Sequence, residues 1–141
     1  MSEASGSALS AAVLTQVLDK LHHPVLLLDS SSRITYLNAA MVHYIEKVTL
    51  RRWDGAQVIG QDIVVLHPDR AQAPMRERIA AVLSGRGVPP RFNTVGDTMF
   101  MTYDTVLLDE HGSAVGLMME KIPVNLMADE RVPGSPPGRP A

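Results

Sequence analysis

His67, set between Leu66 and Pro68, has the widest chemical repertoire of any side chain in this sequence. A neutral imidazole relays protons near physiological pH and ligates transition metals through either ring nitrogen. The apolar run Ile63–Leu66 before it and the proline after it put the ring at a helix junction, where it either faces a cavity or is satisfied by a backbone carbonyl. The other histidines are less suited. His22 and His23 are adjacent, so on a helix or strand they diverge and chelate poorly; a helix C-terminus, which favours a cationic ring, explains them. His43 falls among Met41, Val42 and Tyr44 on a helix and is the reserve ligand, while His111 falls in a polar loop that water should reach. Thioethers are a second resource: of the eight methionines, Met99, Met101, Met118 and Met119 lie on strand-like segments whose alternate side chains face a core. Arg76 and Arg78 fall on a helix near any pocket beside His67, where a guanidinium suits carboxylates. Arg51, Arg52 and Trp53 read as an exposed loop.

Catalytic patterns are missing. There is no G-x-G-x-x-G, G-x-x-x-x-G-K-[ST], H-E-x-x-H or G-x-S-x-G. The carboxylates Asp29, Asp62, Asp97, Asp104 and Asp109 read as scattered over turns, so we expect no enzyme. With no cysteine there is no disulfide, thiolate metal site or cysteine nucleophile. Thirteen basic against fifteen acidic residues give a net charge of −2, which argues against a nucleic-acid or anionic-membrane partner. An apolar fraction of 45% and a charged fraction of 20% suit one globular domain in 141 residues. The opening segment lacks the basic head of a signal peptide, and no apolar run nears the roughly 20 residues of a membrane span, so a soluble cytoplasmic protein is expected.

The elements that must position these residues follow from periodicity. Residues 1–20 read as an N-terminal segment, frayed at first. Leu9, Val13, Val17, Leu18 and Leu21 then recur at helical spacing, predicting an amphipathic helix over Ala8–Leu21, capped by Ser7 or Ser10. Val25–Leu28 and Arg33–Leu37 predict a hairpin about the polar turn at Asp29, and Asn38 suits the N-cap of a helix over Ala39–Val48. A second clear helix spans Ala73–Ser84, stopped by Gly85. The period then changes to two: strands are predicted over Arg91–Val95, Thr98–Leu108 and Ala114–Ile122, the last two joined by the loop Asp109–Ser113. Residues 125–141, rich in Pro and Gly, read as a disordered tail. Strands at both ends of a helical middle give an α+β antiparallel sheet with helices over one face, and a cavity between the layers is a common place for a ligand.

Over residues 21–124 the chain resembles a PAS domain. The likeness is carried by Pro24–Asp29 (PVLLLD) and Ile34–Asn38 (ITYLN), by Gly60–Asp62 at the entry to the next helical segment, and by the loop Asp109–Gly112 with Gly116. It implies a PAS-like five-stranded antiparallel sheet with helices on one face, plus the N-terminal helix. Gly60–Pro68 (GQDIVVLHP), with Arg76 on the helix that follows, is further similar to haem-binding PAS domains of bacterial carbon-monoxide-responsive regulators, in which the histidine of the leucine–histidine–proline box is the proximal ligand. That resemblance implies a b-type haem on His67, with Leu66, Ile79, Leu83, Phe92, Met99, Met101 and Arg76 around it. It departs at Pro89–Thr94, which lacks the methionine that supplies the sixth ligand in those sensors; Met99 and Met101 lie a few residues later. His67-Pro68-Asp69 also spells the signature of J-domain co-chaperones, but the basic preceding helix and all-helical context are missing.

The expectation is therefore a sensory module sensing a diatomic gas or redox state, a homodimer through its N-terminal helix, read by a separate output protein. The rivals are a cofactor-free PAS interaction module and a PAS pocket binding a small metabolite through Arg76, Arg91 or Tyr103.

Overall fold

A computed structural model describes residues 10–49 and 54–124. The segments expected to be a frayed start, an exposed loop at Arg51–Trp53 and a disordered tail from residue 125 lie outside the described residues. The element order is α1 (Ala11–Asp19), β1 (Val25–Asp29), β2 (Ile34–Leu37), α2 (Ala39–Val48), two 3-10 turns (Gly55–Val58 and Val64–Leu66), α3 (Asp69–Leu83), β3 (Arg91–Val95), β4 (Thr98–Leu108) and β5 (Ala114–Pro123). The five strands form one antiparallel sheet in the order β2-β1-β5-β4-β3. This is the expected α+β architecture, with the first and last strands side by side at its centre.

Local chemistry places each element. Ser10 caps α1, its Oγ accepting from Val13 N at 3.2 Å. Asn38 caps α2 and does more, because it is fully buried. Its Oδ1 accepts from Met41 N and from Val25 N, each at 2.9 Å. Its Nδ2 donates to Leu18 O at 3.1 Å and His23 O at 3.0 Å. Both donors and both lone pairs are thereby used, and one amide ties α1, β1 and α2 together. Two aspartates build the hairpin turns by the same means: Asp29 Oδ1 accepts from Ser31 N and Arg33 N, and Asp109 Oδ1 from His111 N and Ser113 N. At Gly116, β1 and β5 run so close that an added Cβ would overlap the Leu28 carbonyl oxygen.

Two helix bounds differ from expectation. Helix α1 is shorter than Ala8–Leu21, ending at Asp19. Helix α3 starts at Asp69, a turn before Ala73, and carries Pro74 inside it. The early turn holds because Ala71 N donates to Pro68 O at 2.8 Å and Gln72 Nε2 to His67 O at 2.9 Å, which offsets the bond Pro74 cannot make.

The core lies between the sheet and the helices: Leu26, Leu28 and Leu117 from the strands meet Met41, Val64, Ile79 and Val82 from the helical side. Each such burial contributes about 1.5–3 kcal/mol. Helix α1 buries none of its residues; Val13, Leu14 and Val17 are 39–49% exposed. Among the described residues no helix is long and apolar enough to cross a membrane.

Candidate functional site

A cleft of about 680 Å³ opens between the sheet and the helices. Leu26, Ile34 and Met119 of the sheet, with Met41 and Ile45 of α2, form its apolar wall; Val48, His67 and Pro68 stand among its other lining residues. Leu26, Ile34, Met41 and Val58 are only 1–3% exposed, so the inner wall is closely packed and the free space lies toward the more exposed residues.

The segment carrying His67 is fastened to β2. Ile34 N donates to Gln61 O at 2.9 Å, Gly60 N to Ile34 O at 2.7 Å and Ile63 N to Ser32 O at 2.9 Å. Asp62 Oδ1 accepts from Val64 N at 2.9 Å and starts the 3-10 turn. The turn brings His67 to the cleft, half-buried, with Nδ1 2.9 Å from Ile63 O. Donating there, Nδ1 carries a proton, and in the neutral ring Nε2 then keeps the lone pair, the arrangement that orients a metal-ligating histidine. The contact is also the backbone satisfaction expected of a histidine at a helix junction.

The polar part of the cleft was not legible in the sequence. Register places Arg91 opposite Thr102, and Thr102 opposite Lys121, so the three lie abreast on one face of β3, β4 and β5. Lys121 Nζ donates to Thr102 Oγ1 at 3.0 Å and sits 4.9 Å from the centroid of the Tyr44 ring. Asn93 Nδ2 donates to Tyr44 Oη at 2.7 Å, and Phe100 meets the Tyr44 ring edge-on at 5.1 Å. Asp104, with a side chain 1% exposed, pairs with Arg78 at 3.3 Å and Arg91 at 3.4 Å. Burial pulls the Lys121 ammonium down to about 8; neighbouring Arg91 adds to the effect and Asp104 opposes it. Burial likewise lowers Arg91 and raises the Tyr44 hydroxyl.

The residues expected around a haem do not assemble as a group. Leu66 and His67 line the cleft. Ile79 is buried in the core and Leu83 packs at its margin. Phe92 and Met99 are 60% and 41% exposed, and Met101 shares their sheet face, opposite Phe92. That face is set by the inward phase of Thr102, which turns its neighbours Met101 and Tyr103 away from the cleft. Arg76 lies outside the lining, 55% exposed and 3.8 Å from Asp62. His43 is exposed on α2, and His111 is an exposed loop residue beside Glu110. Met119 faces the cleft, whereas Met118 alternates away from it. Asp104, read as a turn carboxylate, is mid-strand. The imidazole fits a proximal ligand, while the other residues expected around the macrocycle are divided between the cleft, the core and the outer sheet face. Among the described residues no group of three or more His, Asp or Glu side chains is placed to hold a metal ion.

A signal for Lys121 did exist. It follows Leu117 and Met119 at period two, so it shares their face once the phase of β5 is known.

Comparison with known proteins agrees with the topology. No curated protein sequence matches this one significantly. Among solved structures, the Aer2 receptor of Vibrio cholerae, described as a dual PAS-heme oxygen sensor, superposes with a TM-score of 0.58 at 19% identity, covering 72% of this chain and 94% of that one. A C-terminal domain from Streptococcus mutans gives 0.69 at 15% identity, covering 87% and 91%. Vibrio cholerae VqmA bound to DPO gives 0.60 at 17% identity, covering 82% of this chain and 58% of that one. At these identities the likeness is one of fold. The family described as PAS fold matches residues 18–122, and with the strand order and helical layer already in view, this chain belongs to it.

Proposed function

We propose that this chain is a non-catalytic sensory PAS module whose signal is a small molecule held in the cleft between sheet and helices. One observation carries the reading: the cleft joins an apolar wall to the cationic side chains of Arg91 and Lys121, a combination that a cofactor-free association module does not need. Such a site gives affinity through burial and orientation through a few polar groups. Of the residues weighed for a metabolite, Arg91 is the one that lines the cleft; Arg76 lies outside it, and Tyr103 is 40% exposed on the far side of the sheet. The test fills the space: Ile45→Trp, on the half-buried part of α2, should abolish the thermal stabilisation that ligands from a cell extract give the wild type. Equal stabilisation of both proteins would defeat the reading.

Haem on His67 is the second reading, favoured by the Nδ1 contact with Ile63 O, which leaves Nε2 as the ring nitrogen open to a metal. When bound, haem would supply gas or redox sensitivity; the chain's part is to hold the ring and exclude water. Protein made in haem-supplemented cells should then show a Soret band that His67→Ala removes, and an unchanged band in that variant would discard His67.

Output is read from the outside of the molecule. Val13, Leu14 and Val17 of α1, and Phe92 and Met99 of the outer sheet face, are 39–60% exposed, a surface suited to a second copy and a separate output protein. A concentration-independent monomer in sedimentation would remove the homodimer.

A further inference from the structure

The row Arg91–Thr102–Lys121 brings more positive charge to the cleft than its surroundings neutralise. Asp104 is the carboxylate of this cluster, and it is already shared by Arg78 and Arg91. Among the described residues no carboxylate lies within ion-pair distance of Lys121 Nζ, whose hydrogen bond goes to a neutral hydroxyl. Arg91 Nε is buried and has no hydrogen-bond partner among the described residues. A largely buried cation without a counter-charge and a buried N–H without an acceptor are costly to keep unless an anion arrives from elsewhere. An ammonium has three N–H bonds, of which Thr102 takes one. Two remain, and the Arg91 side chain lines the same cleft. Two ammonium donors beside a guanidinium, and one charge offset by no carboxylate, match two oxygens bearing a single negative charge better than a phosphate dianion, which needs more donors. The rest of the wall is hydrocarbon and thioether: Leu26, Ile34, Met41, Ile45 and Met119.

We infer that the cleft recognises a monocarboxylate with an aliphatic or aryl body, its carboxylate seated at Lys121 and Arg91 and its body laid along the wall from α2 to Met119. The inference rests on the reading that the cleft takes a ligand, and adds the class of that ligand.

The test titrates the full chain with sodium octanoate and, separately, with 1-octanol, which shares the chain but lacks the charge, using isothermal calorimetry. The wild type should bind octanoate at least ~10-fold more tightly than octanol, the usual value of a charge-assisted pair of hydrogen bonds. In Lys121→Met that preference should fall to parity. Arg76→Ala, which removes a cation outside the cleft, should keep it. Octanol binding as tightly as octanoate in the wild type would overturn the carboxylate assignment while leaving the cleft a ligand site. The same holds if Lys121→Met retains the preference. If neither probe binds, the cleft reading itself fails, and this inference with it.

Discussion

Lys121→Met should raise the stability of the unliganded protein, by an amount that depends on pH in a defined direction. Folding takes the Lys121 ammonium from an ordinary value of 10.5 to about 8, chiefly through burial. At ~1.4 kcal/mol per pH unit, that displacement amounts to roughly 3 kcal/mol of disfavour for the charged form in the folded state. The folded value is the lower one, so the unfolded chain binds the extra proton. The disfavour is therefore complete below about pH 8 and disappears as the pH rises toward 10.5. Methionine keeps the length of the side chain and its packing against Tyr44 but carries no charge. Urea unfolding of both proteins, run in steps from about pH 7 to about pH 10, should show the variant ahead by on the order of 3 kcal/mol at the acid end. The gap should close toward the alkaline end. Common effects of pH cancel in the difference. A gap that is flat across the range, or that widens with pH, would refute the burial of an uncompensated ammonium and weaken the carboxylate inference with it.

Other substitutions probe the frame that holds the cleft. Asn38→Ala deletes the four hydrogen bonds that join α1, β1 and α2, and should lower stability by about 3 kcal/mol in urea unfolding while loosening α1 in hydrogen exchange. Gly116→Ala forces a methyl against the Leu28 carbonyl and should cost roughly 2–4 kcal/mol, read as a fall in Tm; a neutral result would mean β1 and β5 can separate freely. Asp104→Asn leaves Arg78 and Arg91 facing a neutral amide and should cost about 3 kcal/mol, a loss that moderate salt does not restore because the carboxylate is buried.

Those elements whose information is local could be read from the sequence. Asp29 and Asp109 announce their turns because an aspartate bonding its own downstream amides needs no distant partner, and Asn38 announces α2 for the same reason. The phase of the last two strands could not be read that way. Along Thr98–Leu108 and Ala114–Pro123, methionine, leucine and threonine occupy both faces, so hydrophobicity does not distinguish inside from outside. The pairing of Thr102 with Arg91 and Lys121 decides it, and that pairing spans residues 91 to 121. Phe92, Met99 and Met101, which the haem-PAS resemblance sets around His67, therefore stand on the other side of the sheet. Asp104 lies inside the predicted strand Thr98–Leu108, but its role as the buried partner of Arg78 and Arg91 depends on two arginines distant in the chain. His67 was legible because its apolar approach and following proline are adjacent in the chain.

Glu120 and Lys121 are consecutive on β5, and consecutive residues of a strand emerge on opposite sides of the sheet. Lys121 belongs to the interior chamber; Glu120 reaches His23 at 3.2 Å, in the link between α1 and β1. The Lys121 amide is itself bonded to the Pro24 carbonyl at 2.9 Å. A guest that displaced the backbone at Lys121 would therefore act directly on a hydrogen bond of the link that anchors the leading helix. The partition between inside and outside is there a single peptide plane thick.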